Sequence, residues 1–266
     1  MALTIAGARD PAAADGLAAW QTHEGVAVAT EDAEPALLSV YPGRAPALGG
    51  GMLAWLEGQE AVLVSAPALE PLARLPVEGA DSLAVSASWL VFRRVAGGAE
   101  QIVARELATG AERVLAEAKA PARLGRPALE GDVLVFHVAG VRVSRIDEVD
   151  LTTGARRALR SSRTVQLTNP TLAGDVLAYV RVTNAAQQLL AGPRRPARDR
   201  VLRRANGVSR RDRGHEHGKK PHKATPPPAP PAPHVYWTTA LSERFAYLTL
   251  SPLTRGQAPR LLRIPR

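Results

Sequence analysis

Residues 169–192 read NPTLAGDVLAYVRVTNAAQQLLAG, and this stretch decides how the chain is built. A turn at Ala173-Gly174-Asp175 opens an apolar run, Val176 to Tyr179, that closes on an aromatic ring. A polar turn around Asn184 follows, then a second short apolar run at Leu189-Leu190. Gly and Pro interrupt such runs long before a helix could form, so each run reads as a short strand.

Variants of the unit recur in both directions. The main run ends on Trp20, Trp55, Phe92, Phe136, Tyr179 and Trp237. These are six of only eleven aromatic residues, spaced by 35, 37, 44, 43 and 58 residues, too regular for chance. Three further short segments belong to a unit. One precedes the aromatic run, as in Pro46-Ala47-Leu48, Ser82 to Val85, Pro127-Ala128-Leu129 and Pro170-Thr171-Leu172. Two follow it, as in Val62-Leu63-Val64 then Leu72 to Leu75, and Ile102-Val103 then Arg113-Val114-Leu115. The turns Leu107-Ala108-Thr109-Gly110 and Leu151-Thr152-Thr153-Gly154 between the last two segments are nearly the same.

Units of roughly 40 residues with four strands are the sign of propeller blades. A two-sheet sandwich predicts no common repeat, and an α-solenoid would not tolerate the Gly and Pro. The expected fold is therefore all-β: a single six-bladed β-propeller of four-stranded blades. The expected blades are 16–44, 45–79, 80–124, 125–167, 168–205 and 234–266, with 206–233 a disordered basic, proline-rich insertion. Leu3-Thr4-Ile5 is expected to close the ring by joining the last blade, which leaves no free edge there. The proline block lies where the sixth blade's inner strand should be. That blade is expected to have three strands or to borrow one.

The chain has 266 residues, enough for one well-cored domain, and no cysteine, which excludes disulfide and thiolate chemistry. No apolar run approaches the roughly 18 residues needed to span a bilayer. The first residues, MALTIAGARD, lack the basic start of a signal peptide. Between Pro193 and His234 lie nine Arg and three Lys against two Asp and one Glu, which equals the whole-chain net charge of +9. The rest of the chain is neutral.

That basic stretch is the most distinctive chemical feature. It reads as an electrostatic arm for an anionic partner (nucleic acid, lipid headgroups or an acidic protein), or as a variable surface insertion. It carries no aromatic residue to stack on bases. His215, His217, His222 and His234 lie in or beside it, but their spacing matches no closed zinc pattern, and no metal or cofactor is expected. There is no nucleophile elbow, no H-E-x-x-H and no phosphate loop. Gly49-Gly50-Gly51, Asp132 and Asp175 fall on the same repeat turn, which makes a turn role the simpler reading for the two aspartates than a catalytic pair. Asp147, Glu148 and Asp150 read as a solvated strand edge.

Blade-to-blade connections and turns between second and third strands share one face of a propeller. The basic loop is expected there, beside His23-Glu24, residues 57–59, Arg93-Arg94, residues 137–142 and Glu243-Arg244. The expected partner-binding set is Arg194, Arg195, Arg203, Arg204, Arg210, Arg211, Arg213, Lys219, Lys220, Arg93, Arg94 and Arg142.

The motif A-G-D-V-L-A-Y at 173–179 and the turn E-V-D-L-T-T-G at 148–154 resemble the repeats of TolB-type propellers, although the fuller Ser-Pro-Asp-Gly turn of that family is absent. Residues 235–239, V-Y-W-T-T, are similar to a YWTD repeat. The resemblance implies a six-bladed propeller and a protein-binding role in the bacterial envelope, and it brings no catalytic residues. The expected function is a monomeric, exported, non-catalytic binding or scaffold module with a protein partner. Two rivals stand beside it: a propeller hydrolase or lyase with its site at the channel, and nonspecific binding of nucleic acid or membrane through the basic loop.

Overall fold

A computed structural model describes residues 3–32, 37–183, 186–195, 198–206, 234–252 and 258–266. Among these residues all regular structure is β, arranged as six sheets around one axis, a six-bladed propeller. Its closure is made by the N-terminus: β1 (Leu3–Ala6) lies antiparallel to the last strand, with Leu3 opposite Arg263 and Ala6 opposite Arg260.

Blade 1 comprises β2 (Arg9–Ala14), β3 (Leu17–Gln21), β4 (Val26–Thr30) and β5 (Leu37–Tyr41), from axis to rim. Blade 2 follows with β6 (Arg44–Gly49), β7 (Met52–Glu57), β8 (Glu60–Ser65) and β9 (Pro71–Pro76). Blade 3 has β10 (Ala80–Val85), β11 (Trp89–Ala96), β12 (Ala99–Glu106) and β13 (Glu112–Lys119). In blade 4 the inner strand is split into β14 (Arg123–Leu124) and β15 (Ala128–Glu130), followed by β16 (Val133–Ala139), β17 (Ser144–Asp150) and β18 (Arg156–Ser162). Blade 5 has β19 (Gln166–Ala173), β20 (Val176–Val182), β21 (Ala186–Pro193) and β22 (Arg200–Asn206). Blade 6 has β23 (His234–Leu241), β24 (Phe245–Pro252) and β25 (Arg260–Pro265), with β1 outermost.

The middle strands are buried on both faces, as in LAAWQ, MLAWLE and EAVLVS, because each blade packs between two neighbours. The five aromatics Trp20, Trp55, Phe92, Phe136 and Tyr179 sit on second strands, and each faces the preceding blade: Phe92 meets Leu63 and Ala54, and Phe136 meets Ile102 and Ala104. Phe92 and Phe136 are wholly buried, worth about 1.5–3 kcal/mol each by apolar area alone. Near the axis the strands crowd, and alanines (Ala12, Ala47, Ala84, Ala128, Ala240) line a narrow channel.

The ring closes as expected, with Leu3–Ile5 inside β1, but the sixth blade is built one strand out of the expected phase. Because β1 supplies the outer strand, His234–Leu241 is the inner strand and Trp237 lies on it, not on a second strand. The place of the repeat aromatic falls to Leu248, which packs against blade 5, while Tyr247 faces the other way, into the seam with blade 1. The proline block therefore displaces no inner strand. The first sheet also begins at Arg9, ahead of the expected residue 16, since Arg9–Ala14 with its Pro11 is a full inner strand.

Candidate functional site

Each inner strand runs from the face that carries the blade-to-blade connections, here called upper, to the lower face. Near the upper mouth all six inner strands break register. The breaks lie between Arg9 and Ala12, Arg44 and Ala47, Ala80 and Ser82, β14 and β15, Thr168 and Thr171, and Tyr236 and Thr239. In four of them stands a proline (Pro11, Pro46, Pro127, Pro170), which has no amide hydrogen to give to the ladder. Asp10, Ala45 and Asn169, each just before such a proline, hold φ of 50°, 53° and 51°. A left-handed conformation at a non-glycine residue is strained, and its recurrence around one mouth marks a place where side chains are re-aimed.

What the bulges bring together is a polar ring. Arg126 of blade 4 reaches across the channel: its Nη2 donates to the Pro46 carbonyl of blade 2 at 2.5 Å, and its Nη1 stands 3.8 Å from the Asp10 carboxylate of blade 1. Burial lowers the guanidinium's pKa and the Asp10 and Asp81 carboxylates oppose that, so it remains a cation. Its side chain keeps 18% exposure, and it lines the channel. Asp81 is committed elsewhere: Arg93 holds it through Nε at 2.8 Å and Nη2 at 2.5 Å, and gives its third nitrogen to the Leu124 carbonyl at 2.7 Å. His137 lies against Gly125, where a Cβ would come within 1.9 Å of the imidazole, and its Nδ1 accepts the Asn169 amide at 3.2 Å. Burial, with Arg93 nearby, drops its pKa to about 4, so the ring is neutral at pH 7 and bridges blades 4 and 5. Around these stand Arg9, Arg44 and Arg123, each the exposed first residue of an inner strand.

The lower mouth opens into a cavity of about 520 Å³ bounded by turns of several blades. Its charged lining is Asp15, Glu31, Glu130, Glu243 and Arg244. Asp15 caps the Gly51 amide of the next blade at 2.9 Å and Glu130 that of Gly174 at 3.3 Å. Glu31 is buried beneath Tyr247, whose hydroxyl donates to it at 2.8 Å. Glu243-Arg244, expected on the upper rim, is the first hairpin turn of blade 6 and belongs to this lower mouth. The one-strand shift of that blade is the reason.

The expected binding residues do not form one surface. Arg93 is held by Asp81, and Arg94 donates to Gln101 at 3.0 Å. Arg142 is exposed in the upper turn after β16, and Arg203 and Arg204 are exposed along the rim strand β22. Arg194 and Arg195 are on the lower face, in the turn after β21, bonded to Asp175 and Glu148. Arg210, Arg211, Arg213, Lys219 and Lys220 lie outside the described residues, as do His215, His217 and His222. Asp132 accepts the Trp89 indole at 2.9 Å and Asp175 the Arg194 guanidinium at 3.2 Å, so both serve turns. Asp147, Glu148 and Asp150 do not form the solvated strand edge expected of them. Asp147 and Glu148 are only 2% and 4% exposed, ion-paired to arginines on both flanks, and no solvated edge. Among the described residues no three His, Asp or Glu side chains gather as a metal site. Composition hid Arg126 and Asp10, but the recurring proline one residue later was a signal that could have found both.

No protein-family model matches the chain, and neither does any curated protein. Solved structures do. TolB from Acinetobacter baumannii superposes with a TM-score of 0.56 at 12% identity, over 90% of this chain and 59% of that one. The chain thus spans less than two thirds of that protein's length. A TolB structure from Agrobacterium tumefaciens gives 0.55 at 11% identity, over 84% and 76%. Oligogalacturonate lyase in complex with manganese gives 0.51 at 13% identity, over 94% and 86%. The chain has the fold of a TolB-type six-bladed β-propeller. At such identities the likeness concerns the fold, and the fold serves binding proteins and enzymes alike.

Proposed function

We propose that this propeller is a non-catalytic binding module that takes an acidic segment of a protein partner at its upper channel mouth. The observation that carries the reading is Arg126. It is a guanidinium held across the channel with one carbonyl bond and a carboxylate beyond hydrogen-bond reach, so most of its five donors are left for a ligand. Arg9, Arg44 and Arg123 ring it, and strands β22 and β23, between which the Arg- and Lys-rich residues 207–233 fall in the sequence, meet this face at Asn206 and His234. Carboxylates of an incoming segment would meet a basic outer ring first, then the guanidinium in the channel. An enzymatic role fits less well, because His137 is neutral and committed to a backbone amide and Asp81 is locked by Arg93. The resemblance to TolB-type repeats favours an exported protein of the bacterial envelope.

The test is titration of a synthetic Asp/Glu-rich peptide into three proteins: the intact chain, Arg126→Met, and a form with residues 207–233 replaced by a Gly-Ser linker. Affinity should fall tenfold or more in R126M and be steeply salt-sensitive in the intact chain. Binding that survives R126M but vanishes with the linker would move the site to the basic segment and end this reading.

A further inference from the structure

We propose a second site, for a phosphate or sulfate group, in the lower-face cleft between blades 4 and 5. The cleft is a cavity of about 390 Å³ walled by Arg156, Arg157, Arg194 and Arg195, with Glu148 and Asp150 also in its lining. The volume is in the range of small-ligand pockets. Four guanidinium groups do not gather by chance, since their repulsion must be offset.

Glu148 offsets part of it. Its carboxylate, 6% exposed, accepts Arg157 and, at 2.7 Å, Arg195, and stands 3.7 Å from Arg194. Arg156 is not part of this surplus: it is bonded to Asp147 at 2.6 Å and stacked over Phe136 at 5.2 Å. Arg194 has a second partner in Asp175, which is largely exposed. Arg157 and Arg195 have none besides Glu148 among the described residues, and their side chains are 46% and 51% exposed. Asp150, the other acid facing the cleft, accepts the Thr152 and Thr153 amides at 3.0 and 2.8 Å, and those bonds keep its pKa low.

One buried carboxylate therefore orients three guanidinium forks, and two of the forks turn spare N–H groups outward. Planar forks fixed in advance and carrying excess positive charge match the geometry of a tetrahedral oxyanion, which accepts paired N–H donors. A carboxylate ligand brings two oxygens in one plane and a single charge; a phosphate or sulfate brings more oxygens, set tetrahedrally, so that each fork can take a pair of them. The site is independent of the upper mouth, and Arg126→Met should leave it unchanged.

The experiment is calorimetric titration with pyrophosphate and with inorganic sulfate at constant ionic strength. It compares the intact protein with Arg195→Gln, which leaves Arg157 on Glu148, and with Arg195→Lys. The control is the double variant R74Q/R163Q, which removes charge far from the cleft. We expect saturable one-to-one binding, weakened at least tenfold in R195Q and several-fold in R195K, and unchanged in R74Q/R163Q. Co-sedimentation with phosphatidylglycerol vesicles, using the same variants, tells whether the oxyanion is free or presented by a bilayer: a loss confined to the cleft variants assigns it to a headgroup. The proposal is overturned if neither probe binds saturably, or if the control weakens binding as much as R195Q does.

Discussion

At the upper mouth of the channel the inner strands leave their ladders and side chains decide what is there; at the lower mouth neighbouring hairpin turns meet, through the Asp15 and Glu130 carboxylates and, at Gly50, backbone against backbone. The upper ring is basic, with Arg9, Arg44 and Arg123 outside and Arg126 within, against Asp10, a Glu100 paired to Arg123 at 2.7 Å and an Asp81 already paired to Arg93. The lower lining is acidic, four carboxylates against Arg244 alone. One repeat thus yields two different ends. The upper end is set by bulges, which add a residue and re-aim its neighbours, so its chemistry can vary without disturbing the sheet. The lower end is set by tight turns in contact, and between blades 2 and 3, at Gly49 and Gly50, a single extra carbon has nowhere to go.

That contrast can be broken most sharply at Gly50. It holds φ +59°, and a Cβ there would lie 2.1 Å from the Ala87 backbone nitrogen and 2.7 Å from the Ser86 carbonyl carbon. No rotamer relieves a clash between Cβ and backbone. Gly50→Ala is expected to cost about 4 kcal/mol, from left-handed strain plus forced separation of blades 2 and 3. Chemical denaturation reads this directly. A loss below about 1 kcal/mol would mean that the lower turns give way easily, and the contrast between the two mouths would fail.

Gly50 also shows what could and could not be read from sequence. The Gly49-Gly50-Gly51 run was recognisable as a repeat turn, yet three glycines in a row only make sense once the neighbouring turn is seen against them. Blade architecture was legible because burial on two faces forces continuous apolar runs, and five of six aromatics mark the same position on successive second strands. The sixth misled, because Trp237 copies the motif one strand early. Strand rank depends on which place the closing strand takes; that Leu3–Ile5 closes the ring was readable, but not that it is the outer strand, paired with Arg260–Arg263, which makes His234–Leu241 the inner one. The site was less legible still. Arg93 and Arg126 look alike in a sequence, and only the fold shows one locked by Asp81 and the other spanning the channel.

A second way to sharpen the comparison is Glu31, which stands where the acidic mouth meets the ring-closing seam. Burial raises its pKa, and the hydrogen bonds from Tyr247 and Ser242, with the Arg244 and Arg263 charges, oppose this without cancelling it. A raised folded-state pKa means the native protein keeps a proton that the unfolded chain releases. The associated stability is present below the unfolded value, near 4.5, and is lost as pH rises through the folded value. At pH 7 the charged carboxylate is therefore a net cost. Glu31→Gln keeps an acceptor for the Tyr247 hydroxyl and removes that cost, so it should stabilise the protein by on the order of 1 kcal/mol at pH 7. The advantage should close as the pH falls toward 4.5. Thermal melts of both forms from pH 4 to 8 check it. A variant less stable than wild type at pH 7 would mean that attraction to Arg244 and Arg263 outweighs burial, and that the lower mouth needs its charge.

The smallest effect tests the claim that the upper mouth stores strain. Ala45 holds φ 53° and is 7% exposed, so it has the left-handed cost without the side-chain hydrogen bonding that eases Asp10 and Asn169 into such conformations. Ala45→Gly removes about 1 kcal/mol of backbone strain, and loses about half of that to the greater freedom of glycine in the unfolded chain and to one buried methyl. The balance is a gain of about 0.5 kcal/mol, opposite in sign to Gly50→Ala at the other mouth. Because the substitution leaves Arg126, Asp10 and the Pro46 carbonyl in place, peptide affinity should be unchanged. If affinity falls while stability rises, the strain itself positions the Pro46 carbonyl under Arg126, and the bulge is part of the binding device and not merely the hinge that exposes it.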